Sequence, residues 1–129
     1  MARVNRFEDL EAWKIAREIV RAVYGVSQNE RFARDYGLKD QIRRSSVSIM
    51  SNIAEGFERD GDREFANFLS IAKGSAGETR SLLYVALDQN YISESEFNSI
   101  SGRLIENSRV ISGLSNYLRQ SELKGLKFK

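Results

Sequence analysis

Side-chain catalysis most often recruits histidine, cysteine or a converging pair of carboxylates. This sequence has no histidine and no cysteine, which removes the commonest general base, metal ligand and thiol nucleophile together. The carboxylates that draw attention are Glu55, Glu64 and Glu78. Di-metal helical bundles combine such glutamates with paired Glu-x-x-His motifs, so no metal site and no cofactor is expected here. A glycosidase-like carboxylate pair stays open on spacing alone, but nothing suggests a sugar-binding cleft. Serine and tyrosine are plentiful, yet the usual activating base is missing. Lys73-Gly74-Ser75 lacks the rest of a phosphate loop and falls inside a helical pattern. These residues point to a protein that is not an enzyme.

The basic residues offer a second chemistry. Arg43 and Arg44 are adjacent, with Lys39 one turn before them, and the first segment adds Arg17 and Arg21. The C-terminal end adds Lys124, Lys127 and Lys129. Clustered cations of this kind bind phosphates by releasing counterions. The competing reading is a solvated face with ordinary ion pairs, such as Glu18 with Arg21. Composition favours that reading, because 20 basic residues face 18 acidic ones for a net charge of +2. No zinc finger or RNA-recognition signature appears, so any contact is expected with the nucleic-acid backbone rather than the bases.

Two stripes stand out. Gln41, Ser45, Ser48, Asn52, Glu55 and Arg59 recur at helical steps, a polar line beside an apolar one. Ala66, Ser70, Gly74, Gly77 and Ser81 recur similarly and lack bulk. Either the stripes meet each other or a partner chain through hydrogen bonds, or they mark tight helix packing within one bundle.

The elements that carry these residues are helical throughout. Apolar residues at steps of three and four predict helices over about 7–26, 38–59, 62–89 and 94–120, with a frayed basic tail over 121–129. Asp62 is the expected N-cap of the third helix. Ser93 with Glu96 forms a capping box for the fourth, and Asn90 suits a left-handed cap at the end of the third. The connection from Ser27 to Tyr36 contains Arg31-Phe32-Ala33-Arg34, which fits a short helical turn. Four such helices with short connections pack as an all-α, up-down antiparallel four-helix bundle, one domain over 1–129. The charged N-terminus does not read as a signal peptide, and no apolar run is long enough to span a membrane. Absence of cysteine is compatible with a reducing cytosol, so a cytoplasmic location is expected.

Several of these residues together resemble a known family. They are Phe7-Glu8-Asp9-Leu10 with Trp13, Tyr36-Gly37-Leu38, Gln41-Ile42-Arg43-Arg44-Ser45, Ser48-Ile49 and Asn52-Ile53-Ala54-Glu55-Gly56. Glu64-Phe65, Phe68-Leu69, Ile71-Ala72-Lys73-Gly74-Ser75 and Glu78 extend the match. The chain resembles the bacterial four helix bundle proteins encoded in intervening sequences of 23S rRNA genes. Related to these are the accessory variability determinant proteins of diversity-generating retroelements. The resemblance implies a bundle that assembles as a homopentamer. For the retroelement relatives it also implies a basic surface that binds RNA or DNA and a reverse transcriptase. It implies a structural role for Ser48, Asn52, Glu55, Gly56, Glu64, Gly74, Ser75 and Glu78. The alternative function is a protein–protein interaction scaffold with no nucleic-acid role.

Overall fold

A computed structural model of the chain describes residues 4–128, and the side chains of residues 4–121. A 3-10 turn, Phe7–Asp9, leads into α1 (Glu11–Val26), α2 (Glu30–Arg34), α3 (Tyr36–Glu58), α4 (Asp62–Asp88) and α5 (Glu94–Phe128). There is no strand among the described residues. Helices α1, α3, α4 and α5 are the four expected from the periodicity, and α2 is the short turn expected in the first connection.

The helices pack in a closed cycle, α1 on α3, α3 on α4, α4 on α5 and α5 on α1. Cross-helix contacts give the directions. Ser45 meets Thr79 while Ser48 meets Ser75, so α3 and α4 are antiparallel. Asn107 reaches Ala12 while Arg103 faces Glu18, so α1 and α5 are antiparallel too. The apolar stripes pool inside this cycle. Ile19, Ile42, Ile49, Ile53, Leu69, Leu83, Leu104 and Ile111 are fully buried. Removing side chains of this size from water is the main stabilising contribution, about 1.5–3 kcal/mol each. Phe32 is fully buried as well. It comes from α2, whose sequence looked like a polar connection, and it stacks on Tyr91 with ring centroids 5.4 Å apart.

Helix ends follow local chemistry. The Ser93–Glu96 capping box forms: Glu96 N–H donates to Ser93 Oγ at 3.0 Å, and Ser93 N–H donates to Glu96 Oε1 at 2.8 Å. Asn90 takes φ 60°, with Tyr91 N–H donating to Ala86 O and Asn90 N–H to Leu87 O. This is the Schellman arrangement, which satisfies two otherwise orphaned carbonyls of α4. Other ends differ from expectation. Asp62 is the first residue of α4 rather than its cap, which is Gly61 at φ 94°. A left-handed turn is needed there, and glycine adopts it without strain. Helix α3 begins at Tyr36 rather than near residue 38, and its start is capped by Asp35 through Leu38 N–H at 3.2 Å. Leu10 is extended and separates the 3-10 turn from α1. The last helix runs on to Phe128, past the expected end near residue 120.

Candidate functional site

Of the basic residues expected on α1 and α3, Arg43 and Arg44 share one depression on the α1–α3 face. Arg17, Arg21 and Tyr24 follow one another on α1 at steps of four and three, and all three are exposed. Tyr24 lies beside α3, and the Arg43 guanidinium covers its ring at 4.4 Å from the centroid. Arg43 Nε also donates to Ser27 Oγ at 2.8 Å, and Ser27 Oγ in turn donates to Tyr24 O at 3.2 Å. Arg43 is thus held in one orientation by a hydroxyl and an aromatic face. Arg44 is exposed beside it, and both arginines line a shallow depression with Tyr24, Asp40, Val47 and Ser48.

The remaining candidates are arranged differently. Arg21 Nη1 is ion-paired with Glu18 Oε1 at 3.0 Å, and Arg17 lies over the Trp13 ring at 5.8 Å. Neither lines the depression. Lys39 sits one turn from Arg43 but turns to the Tyr36 ring, 4.9 Å from its centroid. The side chains of Lys124 and Lys127, and all of Lys129, lie outside the described residues. Tyr24 and Ser27 were not legible as partners of Arg43. The available signal was that Tyr24 continues the Arg17–Arg21 step.

The polar stripe of α3 faces α4 in part. Ser48 Oγ and Ser75 Oγ are 2.8 Å apart, and Asn52 Nδ2 donates to Ser48 O at 2.8 Å and to Ser48 Oγ at 3.0 Å. Deeper in the seam, Ser45 Oγ and Thr79 Oγ1 are 2.8 Å apart. Ser45 also reaches Ile42 O at 3.1 Å and Thr79 reaches Ser75 O at 2.8 Å. Two hydroxyl protons serve these three contacts, so the chain of bonds runs in one direction at a time. The buried partner is Thr79, which stands on the Ala72-Ala76-Thr79-Leu83 core line. The predicted line of small residues does not meet α3. Ala66 is buried, while Ser70, Gly74, Gly77 and Ser81 are exposed, and a Cβ added at Gly74 or Gly77 would meet nothing within 4 Å. The close approach occurs at Gly56, where an added Cβ would stand 2.6 Å from Phe68 Cβ.

At that end of the bundle, Arg59 joins the two carboxylates. Its Nη2 is 2.9 Å from Glu55 Oε2 and its Nη1 is 3.3 Å from Glu64 Oε1. The guanidinium also covers the Phe68 ring at 5.1 Å. The hydrogen bond from Arg59 to Glu55 holds the guanidinium above its ordinary pKa. Glu55 and Glu64 are therefore ion-pair partners of one arginine. Glu78 is exposed on α4, away from both. Among the described residues no group of three or more acidic side chains could hold a metal ion.

The sequence pattern of the 23S rRNA-intervening sequence protein family matches residues 8–113. The chain belongs to this family. A solved structure from Bacteroides thetaiotaomicron, a protein of unknown function from the S23 ribosomal protein family, is similar to it. The two share 25% identity and superpose with a TM-score of 0.74, over 81% of this chain and 97% of that one. No curated protein matches the chain. Within the 23S rRNA-intervening sequence proteins, then, this chain is a helical bundle with no helix long and apolar enough among the described residues to cross a membrane.

Proposed function

We propose that the protein is a non-enzymatic, cytoplasmic accessory protein that contacts RNA or DNA as a homo-oligomer. The observation that carries this reading is Arg43, oriented by Ser27 and Tyr24 beside exposed Arg44. An arginine pre-set on an aromatic face loses little freedom on meeting a phosphate. Family membership supports a link to ribosomal RNA genes. A pentameric ring would multiply the modest charge of one chain, and a reverse transcriptase is the protein partner implied by the retroelement relatives.

Gel-shift titration with single-stranded RNA and with duplex DNA tests the reading. Retention at low salt that weakens steeply as salt rises is expected, and so is a roughly ten-fold weakening in Arg43→Ala/Arg44→Ala. No retention of either nucleic acid at low salt overturns it. Light scattering of the purified chain is expected to give about five times the chain mass, and a strict monomer at high concentration contradicts the ring.

The alternative is a protein-interaction scaffold, for which the exposed apolar side chains of α4, Ile71 and Val85 at 52% and 43%, offer separate contact points. Co-purification of a partner protein that survives nuclease and high salt would select this reading.

A further inference from the structure

The far side of the bundle from Arg43 carries a second basic feature. Between α4 and α5 lies an open cleft of about 490 Å³, lined by Lys73, Arg80 and Arg109 and by no carboxylate. In a chain whose charges are nearly balanced, an acid-free cleft with three cations is a local departure. The ion pairs among the described residues lie elsewhere, and Lys73, Arg80 and Arg109 are all exposed.

The shape of the cleft comes from its glycines. Gly77 on α4 and Gly113 on α5 both line it, and a Cβ at either would meet nothing within 4 Å. Glycine is a poor helix former, and neither residue is offset by packing within the chain. What the two positions provide is room between the cations. Ser108, Ser112 and Asn116 add hydroxyl and amide groups along the α5 wall. The α4 wall continues from Lys73 through Gly77 and Arg80 to Tyr84 at steps of four, three and four. Tyr84 is 53% exposed, and its ring is fixed against Phe97 at 4.8 Å between centroids.

We infer that this cleft binds the sugar–phosphate backbone of a single nucleic-acid strand, with Tyr84 as a stacking platform at one end. Lys73 and Arg80 are two helical turns apart, about 10 Å. That separation exceeds one phosphate group and suits a run of them. The open, acid-free walls admit a continuous chain, and an aromatic ring following the cations is the pattern of strand-tracking grooves. The inference rests on the reading of the protein as nucleic-acid-associated, but it uses a different face from Arg43 and Arg44.

The test is fluorescence polarisation of a labelled oligouridylate with the full chain at low salt. Three variants are compared: Lys73→Ala/Arg80→Ala/Arg109→Ala, Gly77→Glu, and Arg43→Ala/Arg44→Ala. Gly77→Glu has space and a better helix former, so it folds while placing a negative charge among the cations. The triple variant is expected to bind at least about ten-fold more weakly, with the slope of log affinity against log salt smaller by about 2. Gly77→Glu is expected to lose affinity as well. Circular dichroism and elution volume confirm that each variant keeps its fold and assembly. If the triple variant and Gly77→Glu both bind as the parent does, the cleft assignment is overturned, and loss confined to Arg43→Ala/Arg44→Ala leaves the proposed function standing without it. Absence of oligouridylate binding by the parent chain overturns the cleft assignment, and the proposed function then falls only if duplex DNA is not retained either. Inorganic tripolyphosphate serves as competitor. Weak competition is expected, and displacement at the same concentration as unlabelled oligouridylate would show a site for free phosphate compounds and overturn the strand.

Discussion

Glycines in this chain have opposite roles that only their surroundings reveal. Gly56 is buried where α3 crosses the start of α4, and a methyl group there collides with Phe68 and Phe65. Gly56→Ala is expected to destabilise by about 1–3 kcal/mol, since the obstacle includes a Cβ and a backbone oxygen that cannot swing aside. Gly74→Ala has open space and is expected to stabilise by about 0.4–1 kcal/mol. Chemical denaturation of the two variants under identical conditions checks the contrast, and equal effects would refute it. Asn107 is the other telling residue. It is fully buried, its Nδ2 donates to Ala12 O at 2.9 Å, and its Oδ1 has no partner. Asn107→Asp puts a carboxylate against that carbonyl with nothing to neutralise it. A loss of about 3 kcal/mol or more is expected at neutral pH. Burial raises the carboxyl pKa in the fold, so the loss shrinks as pH falls and vanishes below the unfolded value of about 4. Urea midpoints measured across that range would show it.

At the scale of elements, the short helix α2 is held by one tyrosine from the far side of the chain. Tyr91 OH donates to Asp35 Oδ2 at 3.0 Å, Asn29 Nδ2 donates to Tyr91 O at 3.1 Å, and Phe32 stacks on the ring. The hydrogen bond to Asp35 pushes the Tyr91 pKa up, with burial and the nearby carboxylate charge acting the same way and Arg31 opposing. A phenol whose folded pKa is raised contributes stability that is fully present below the unfolded value of about 10 and lost as pH rises through the folded value. Wild-type stability is therefore expected to fall in alkaline solution by a step that Tyr91→Phe lacks. Thermal unfolding from neutral to alkaline pH tests this, and parallel curves for the two proteins would count against the latch. The Schellman turn at Asn90 aims Tyr91 back across the end of α4, and it was legible from the Asn90 position. Its target was not, because Phe32, Asn29 and Asp35 stand 56 to 62 residues earlier in the chain.

The whole molecule separates stability from charge. Its core is mostly aliphatic, and the ion pairs among the described residues are exposed, with both partners of each at least 39% accessible. Pairs of that kind contribute little, typically about 0–1 kcal/mol. Raising salt from about 0.05 to 0.5 M is therefore expected to shift the melting temperature by no more than about 2 °C, while the same change strongly weakens nucleic-acid binding. A melting temperature that falls steeply with salt would show that surface charge is integral to the fold.

Fold class was readable from the chain alone because each helix repeats its apolar residues over several turns, and local caps such as Ser93–Glu96 act within a few residues. The polar stripe through Ser45 and Ser48 was readable for the same reason, as was the adjacency of Arg43 and Arg44. Tertiary structure decided everything that depends on which face meets which neighbour. It assigned Thr79 and Ser75 to the stripe, left Gly74 and Gly77 open, and made Gly56 the point of close approach. It gathered Lys73, Arg80 and Arg109 into one cleft although two helices supply them. Periodicity places a residue on a face of its own helix, but the rotation of that helix against its neighbours is set by the packing of all four together.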